Sequence, residues 1–288
     1  MQNISRFVLV ICLFSSIQLN AQQAKTYQLF NQKGRKVSYK KLIKEIQKSD
    51  VFFFGELHNN TIAHWLQLEV LKTINQETER PLALGLEMIE RDNQDELELY
   101  LKGSIDQKGF DSTARLWSNY EKDYKPIVDF AKENEIKVVG TNVPRRYASQ
   151  IYHGGFSALD SLFTEEKSWL APLPIEYDST LPGYIKMREM MPGHGGKNLP
   201  KAQAIKDATM AYFLLQNRAE EELMVHLNGT YHSDNFEGIL WYVNLYQQGL
   251  NLLTLKTVTQ NQLEKLEEDY LQTANFILVV DEDVADSY

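Results

Sequence analysis

The stretch "VFFFGELHNN", residues 51–60, sets four bulky apolar side chains in a row, stops them at Gly55 and follows at once with a carboxylate and an imidazole, Glu56 and His58. A run of that length without polar alternation reads as a strand covered on both faces, as in a parallel sheet between helical layers. Five further runs have the same character: "LALGLEM" (82–88), "KVVGTNV" (137–143), "LMVHLNG" (223–229), "LLTLKTV" (252–258) and "FILVVD" (276–281). The stretches between them carry helical periodicity. Residues 61–74 set Ile62, Trp65, Leu66 and Leu71 near one stripe, and residues 234–246 do the same with Phe236, Ile239, Leu240, Val243 and Tyr246. Strand and helix in alternation predict an α/β fold, a mainly parallel sheet with helices on both faces.

Working outward, the first two dozen residues stand apart. One early Arg6, an apolar stretch from Phe7 to Ile17 and a small residue at Ala21 read as an export signal cleaved after residues 1–21, too short to span a bilayer. The expectation is one α/β domain over 25–288, outside the cytoplasm in the periplasm or at the cell surface. Cys12, the only cysteine, lies inside the signal, which leaves no disulfide or thiolate chemistry. The large branched Ile11 before it argues against a lipid anchor. With 43% hydrophobic residues among 288, the chain is long enough for a sizeable core, and a formal charge of −9 with no basic stripe argues against nucleic acid as a partner.

One segment has no regular period. Residues 171–200 hold five of the eight prolines and three of the seven methionines, Met187, Met190 and Met191, and a connection of that length predicts a lid. The acidic end "DEDVADSY" reads most simply as a solvated tail.

In an open parallel sheet, ligands gather beyond the carboxyl ends of the strands. The residues closing each run are therefore the informative ones: Glu56 and His58; Glu87, with Glu90 and Arg91; Asn142, Pro144, Arg145 and Arg146; Gly229, Tyr231 and His232. Each could be a helix cap or a satisfied rim group, but Asn60 or Thr61, and Ser233 or Asp234, are better placed to cap the following helices, which frees both histidines. Arg145 and Arg146 follow a first-turn proline, near the positive end of a helix dipole, and call for an anion or for a salt bridge to Glu87 or Glu90. In "PKAQAIKDATMAYFLLQN" Asp207 lies beside an alanine stripe. A buried carboxylate needs a partner. Arg145 is the simplest choice, in a structural role.

These motifs, "GELH", "GLEMIERDNQDELELYLKG", "NVPRR", "QAIKDATMA" and "NGTYH" in this order from about Val51 to Leu255, resemble the ChaN-like haem-binding family of the Tiki superfamily. The resemblance implies a parallel α/β fold, export and haem capture in iron acquisition. The partners to expect are haem, a second copy in a homodimer and an outer-membrane haem receptor. Haem asks for an axial ligand, an apolar slot and cations for its propionates. Tyrosine ligation is what the resemblance implies, and the pool is Tyr147, Tyr177, Tyr184 and His194, with Arg91, Arg145 and Arg146 for the carboxylates. The superfamily also holds enzymes. Its metalloproteases carry two Gly-x-x-His motifs, matched here by Gly55 to His58 and Gly229 to His232. The alternative function is thus a metal-dependent hydrolase in which His58, His232 and Glu56 hold a divalent transition metal and Glu56, His58, Glu87 and His232 perform catalysis. Asn142 and Asp207 would support either site.

Overall fold

The computed structural model describes residues 25–190 and 196–288; the stretch read as an export signal, Cys12, Met191 and His194 lie outside the described residues. Seven strands among them form one sheet: β1 (Tyr27–Asn31), β2 (Val51–Glu56), β3 (Leu82–Glu90), β4 (Lys137–Asn142), β5 (Leu223–Gly229), β6 (Leu252–Gln260) and β7 (Phe276–Asp281). Their order is β1-β7-β6-β2-β5-β3-β4, all parallel except the β1–β7 pair. All six apolar runs are strands, which bears out the mainly parallel α/β architecture. The seventh, β1, closes one edge antiparallel to β7, from Tyr27 opposite Val280 to Asn31 opposite Phe276.

Among the described residues the α-helices, in chain order, are α1 (Tyr39–Ile46), α2 (Thr61–Glu77), α3 (Gln94–Leu101), α4 (Gln107–Thr113), α5 (Lys125–Glu133), α6 (Arg145–Gly154), α7 (Thr164–Lys167), α8 (Pro182–Met190), α9 (Leu199–Asn217) and α10 (Ile239–Tyr246). Alternation along β2 shows why its run is uninterrupted. Phe52 and Phe54 pack into the larger core with Leu66, Val70 and Ile127 from α2 and α5. Val51 and Phe53 pack the other way, against Ala204, Ala208 and Ala211 of α9 and Leu240 and Val243 of α10. All four are sealed from solvent, and each phenylalanine contributes about 2–3 kcal/mol of burial.

Two helix readings need correction. On α2 the buried stripe runs through Ala63, His64, Leu66, Gln67 and Val70, while Trp65 is exposed. The polar pair occupies it because a buried carboxylate lies opposite, as described below. After β5 the chain makes 3-10 turns, and α10 begins only at Ile239 behind Gly238, so Ser233 caps nothing and accepts instead from the Asn228 amide at 3.0 Å. Asn60 does cap α2, accepting from Ala63 N at 2.9 Å.

The described part of the segment expected to be a lid is fastened to the body. Ala171 N donates to Thr209 Oγ1, Gly183 N to Glu237 Oε2 at 2.7 Å and Tyr242 Oη to the Glu176 carbonyl at 2.7 Å.

Candidate functional site

At the carboxyl end of β2, Glu56 is buried with both oxygens occupied. Oε1 accepts from the Tyr124 phenol at 2.5 Å and from His58 Nδ1 at 2.8 Å, and Oε2 accepts from Gln67 Nε2 at 2.5 Å. The tautomer of His58 follows, because a carboxylate can only accept: Nδ1 carries the proton. Burial works against a charged ring here, but the Glu56 hydrogen bond and the charges of Glu87 and Glu56 outweigh it, and His58 titrates above its usual value. The His58 backbone is held as well, its carbonyl accepting from His64 Nε2 at 2.9 Å and Asn119 Nδ2 at 3.3 Å. Trp117 meets the ring edge-on, 4.9 Å between centroids. The side chain stays 37% exposed, and among the described residues Nε2 has no hydrogen-bond partner.

The second group is a buried row of three. His232 Nδ1 donates to Asp207 Oδ1 at 2.5 Å, and Nε2 lies 3.2 Å from Glu87 Oε1. Glu87 Oε2 accepts from Gly229 N at 2.6 Å, and Asp207 Oδ2 from the Tyr184 phenol at 3.3 Å. For His232 burial lowers the pKa, but the charges of Glu87 and Asp207 overcome it and push the ring up to about 9. Glu87 meets a desolvation penalty too, yet the imidazolium holds it well below the carboxylate range. One cation cannot serve two buried carboxylates equally, and burial raises Asp207.

Gly229 joins the groups. A Cβ there would stand 2.8 Å from His58 Nε2 and 3.5 Å from Glu87 Oε2, so only glycine lets the His58 ring lie against β5. Both Gly-x-x-His motifs therefore come together at one end of the sheet, with Glu87 beside His232 and, like His58, against Gly229.

The remaining candidates scatter. Arg91 sits over the Phe213 ring, its Cζ 4.5 Å from the centroid, and donates to Gln94 Oε1 at 2.9 Å. Arg145 is exposed. It is not the partner of Asp207; that place belongs to His232. Arg146 pairs with Asp92 at 2.6 Å, and Arg115, which the sequence reading missed, ties Glu90 at 3.2 Å and Asp92. Neither contact is the salt bridge to Glu87 or Glu90 expected of Arg145 and Arg146. Tyr147 is fully buried, its phenol donating to Glu166 Oε1 at 3.0 Å. Tyr177 stacks on Tyr184 at 5.5 Å, and Arg188 donates to the Ser179 carbonyl at 3.0 Å. Asn142 is buried with Oδ1 unpartnered.

The metal set needs correction. Among the described residues no group of three or more His, Cys, Asp or Glu side chains is arranged to hold a metal ion. Both His232 nitrogens are spent on carboxylates, and both Glu56 oxygens on donors.

Sequence reasoning also missed Tyr124, Gln67, His64 and Asn119, and the docking of residues 284–288 beside His58, where a solvated tail was expected. Ser287 N donates to the Asn59 carbonyl at 2.7 Å, and Ser287 is buried.

A family model described as haem-binding uptake, Tiki superfamily, ChaN matches residues 42–243. Among solved structures, ChaN of Campylobacter jejuni, described with cofacial haem binding, superposes with a TM-score of 0.65 at 19% identity, over 89% of this chain and 97% of that one. A Bacillus cereus protein gives 0.51 at 10% identity, over 89% and 95%, and an erythromycin esterase in its open conformation gives 0.50 at 10%, over 89% and 83%. At such identities these likenesses establish the fold. No curated protein sequence matches.

Proposed function

The chain belongs to the haem-binding uptake (ChaN) family of the Tiki superfamily, and from that premise we propose that it binds haem in the crevice beside His58. The proposal includes its expected setting: an exported protein of iron acquisition that forms a homodimer and hands haem to an outer-membrane receptor.

The observation that carries the reading is the state of His58. An imidazole whose Nδ1–H is fixed on a carboxylate and whose Nε2 is unengaged is a ready axial donor to iron, made more basic by the carboxylate behind it. Haem, when bound, would supply a ferric centre that accepts a nitrogen or phenolate donor. Trp117 offers a flat apolar neighbour, and Arg115 and Arg146 supply cations on the β3–β4 side of the same sheet edge. Of the tyrosines, Tyr147 and Tyr184 have phenols already donating to carboxylates, and burial raises the pKa of both. Tyr177 is the better second donor, since among the described residues its phenol donates to no carboxylate, although burial raises its pKa too. The metal-dependent hydrolase is not favoured, because His232 has no nitrogen left to give.

Hemin added to the untagged protein is expected to produce a saturable Soret band. His58→Ala should move its maximum and weaken binding about tenfold or more, as loss of a ligand held by its outer partner does. Tyr177→Phe should have the smaller effect. A Soret position and affinity indifferent to both substitutions would remove haem from this crevice.

A further inference from the structure

We infer that residues 284–288 act as a strap that positions the His58 turn. After β7 the chain turns, Val284 N donating to the Asp281 carbonyl at 3.0 Å, and runs to the loop between β2 and α2. There Asp286 pairs antiparallel with Asn60, and Ser287 N donates to the Asn59 carbonyl at 2.7 Å. Thr61 Oγ1 donates to the Ala285 carbonyl at 3.0 Å, and Lys122 Nζ to the Ser287 carbonyl at 2.6 Å. The Ser287 hydroxyl donates to Asp123 Oδ2 at 2.9 Å.

These contacts are ordered about one residue. Asp123 Oδ2 also accepts from Asn119 Nδ2 at 2.9 Å, and the same Asn119 amide reaches the His58 carbonyl. The strap therefore holds His58 by two routes, through Asn59 and Asn60 in the chain and through Asp123 and Asn119 across it. A stretch with Asp281, Glu282, Asp283 and Asp286 has every electrostatic reason to stay in water near Asp123 and Glu56. It docks nonetheless, with Ser287 only 8% exposed, because backbone pairing and Lys122 offset the repulsion. Tyr288, the next residue, is left 68% exposed.

Strap and ligand are then linked: whatever factor the docked strap adds to ligand affinity, the ligand returns as protection of the strap. The test compares the intact chain with a variant ending at Asp283. By hydrogen exchange without ligand, amides of residues 57–60 should exchange about tenfold faster in the shortened protein, as for a locally unfastened turn. Ser287→Pro, which removes the N–H accepted by Asn59, should reproduce this at full length and serves if the shortened protein does not fold; Ser287→Thr should restore the intact rate. In hemin titrations, which rest on the haem reading, the shortened variant should bind about tenfold more weakly with a displaced Soret maximum. Unaltered exchange in both the shortened and the Ser287→Pro proteins would overturn the strap. An intact chain that takes up no hemin refutes the haem reading alone, and the exchange comparison still decides the strap.

Discussion

His232→Ala is expected to lower the stability of the fold by about 3–5 kcal/mol, because it strips the cation from two carboxylates that stay buried. Asp207 would keep only the Tyr184 phenol, and Glu87 only the Gly229 amide. Denaturant unfolding gives the number directly, and a loss below about 1 kcal/mol would mean that the row is not charged as described. The pH profile supplies a second check. The folded pKa of His232, about 9, lies above the unfolded value near 6.5, so its contribution is whole below about pH 6.5 and fades as pH rises through 9. Glu87 runs the other way: held low, it contributes above about pH 4.5 and loses its contribution on acidification. Asp207, raised by burial, costs stability when ionised and relieves that cost as pH falls. Stability of the unaltered chain should therefore decline between about pH 7 and 9, and that decline should be much shallower in His232→Ala, where only the raised His58 remains. A matching alkaline slope in the two proteins would place the titration elsewhere.

The second large effect comes from a backbone position. Gly238 has φ 58° and ψ −121°, a conformation that side-chain-bearing residues rarely adopt, and a Cβ there would overlap the His232 carbonyl oxygen and stand 2.9 Å from its carbon. Backbone rather than a yielding side chain is in the way. Gly238→Ala should cost about 3 kcal/mol or more and lower Tm by roughly 6–12 °C, with the His232 turn displaced. A Tm within about 2 °C of the unaltered protein would show that the turn relaxes freely.

Both effects involve residues whose places were only partly readable in the sequence. The strands declared themselves because apolar runs covered on both faces lack polar interruption, and β2 is the clearest case. β1 did not: "YQLFN" is short, half-exposed and antiparallel at an edge, so it has neither the length nor the uniformity of the others. Of the site, the residues closing the strands were legible, since the end of a buried strand is fixed by where apolarity stops. Their partners were not. Tyr124 and Asn119 reach the crevice from the chain between β3 and β4, and residues 284–288 from beyond β7, distances no local pattern spans. One signal was present, His64 and Gln67 on a stripe of α2 otherwise apolar, since polar groups on a buried face need something polar to meet. Asp207 was recognised as needing a partner, but sequence could not choose an imidazole from the fourth run over an arginine from the third.

The middle of the sheet has a kinetic consequence. Val51 of β2 lies between Met224 of β5 and Leu252 of β6, so both rails on which this strand hangs are made late in synthesis. A nascent chain would carry three adjacent phenylalanines with nowhere to pair until most of its length had emerged. High contact order of this kind slows folding and prolongs the interval in which such a segment can associate with others. Refolding from denaturant should accordingly be slow, and its yield should fall as protein concentration rises.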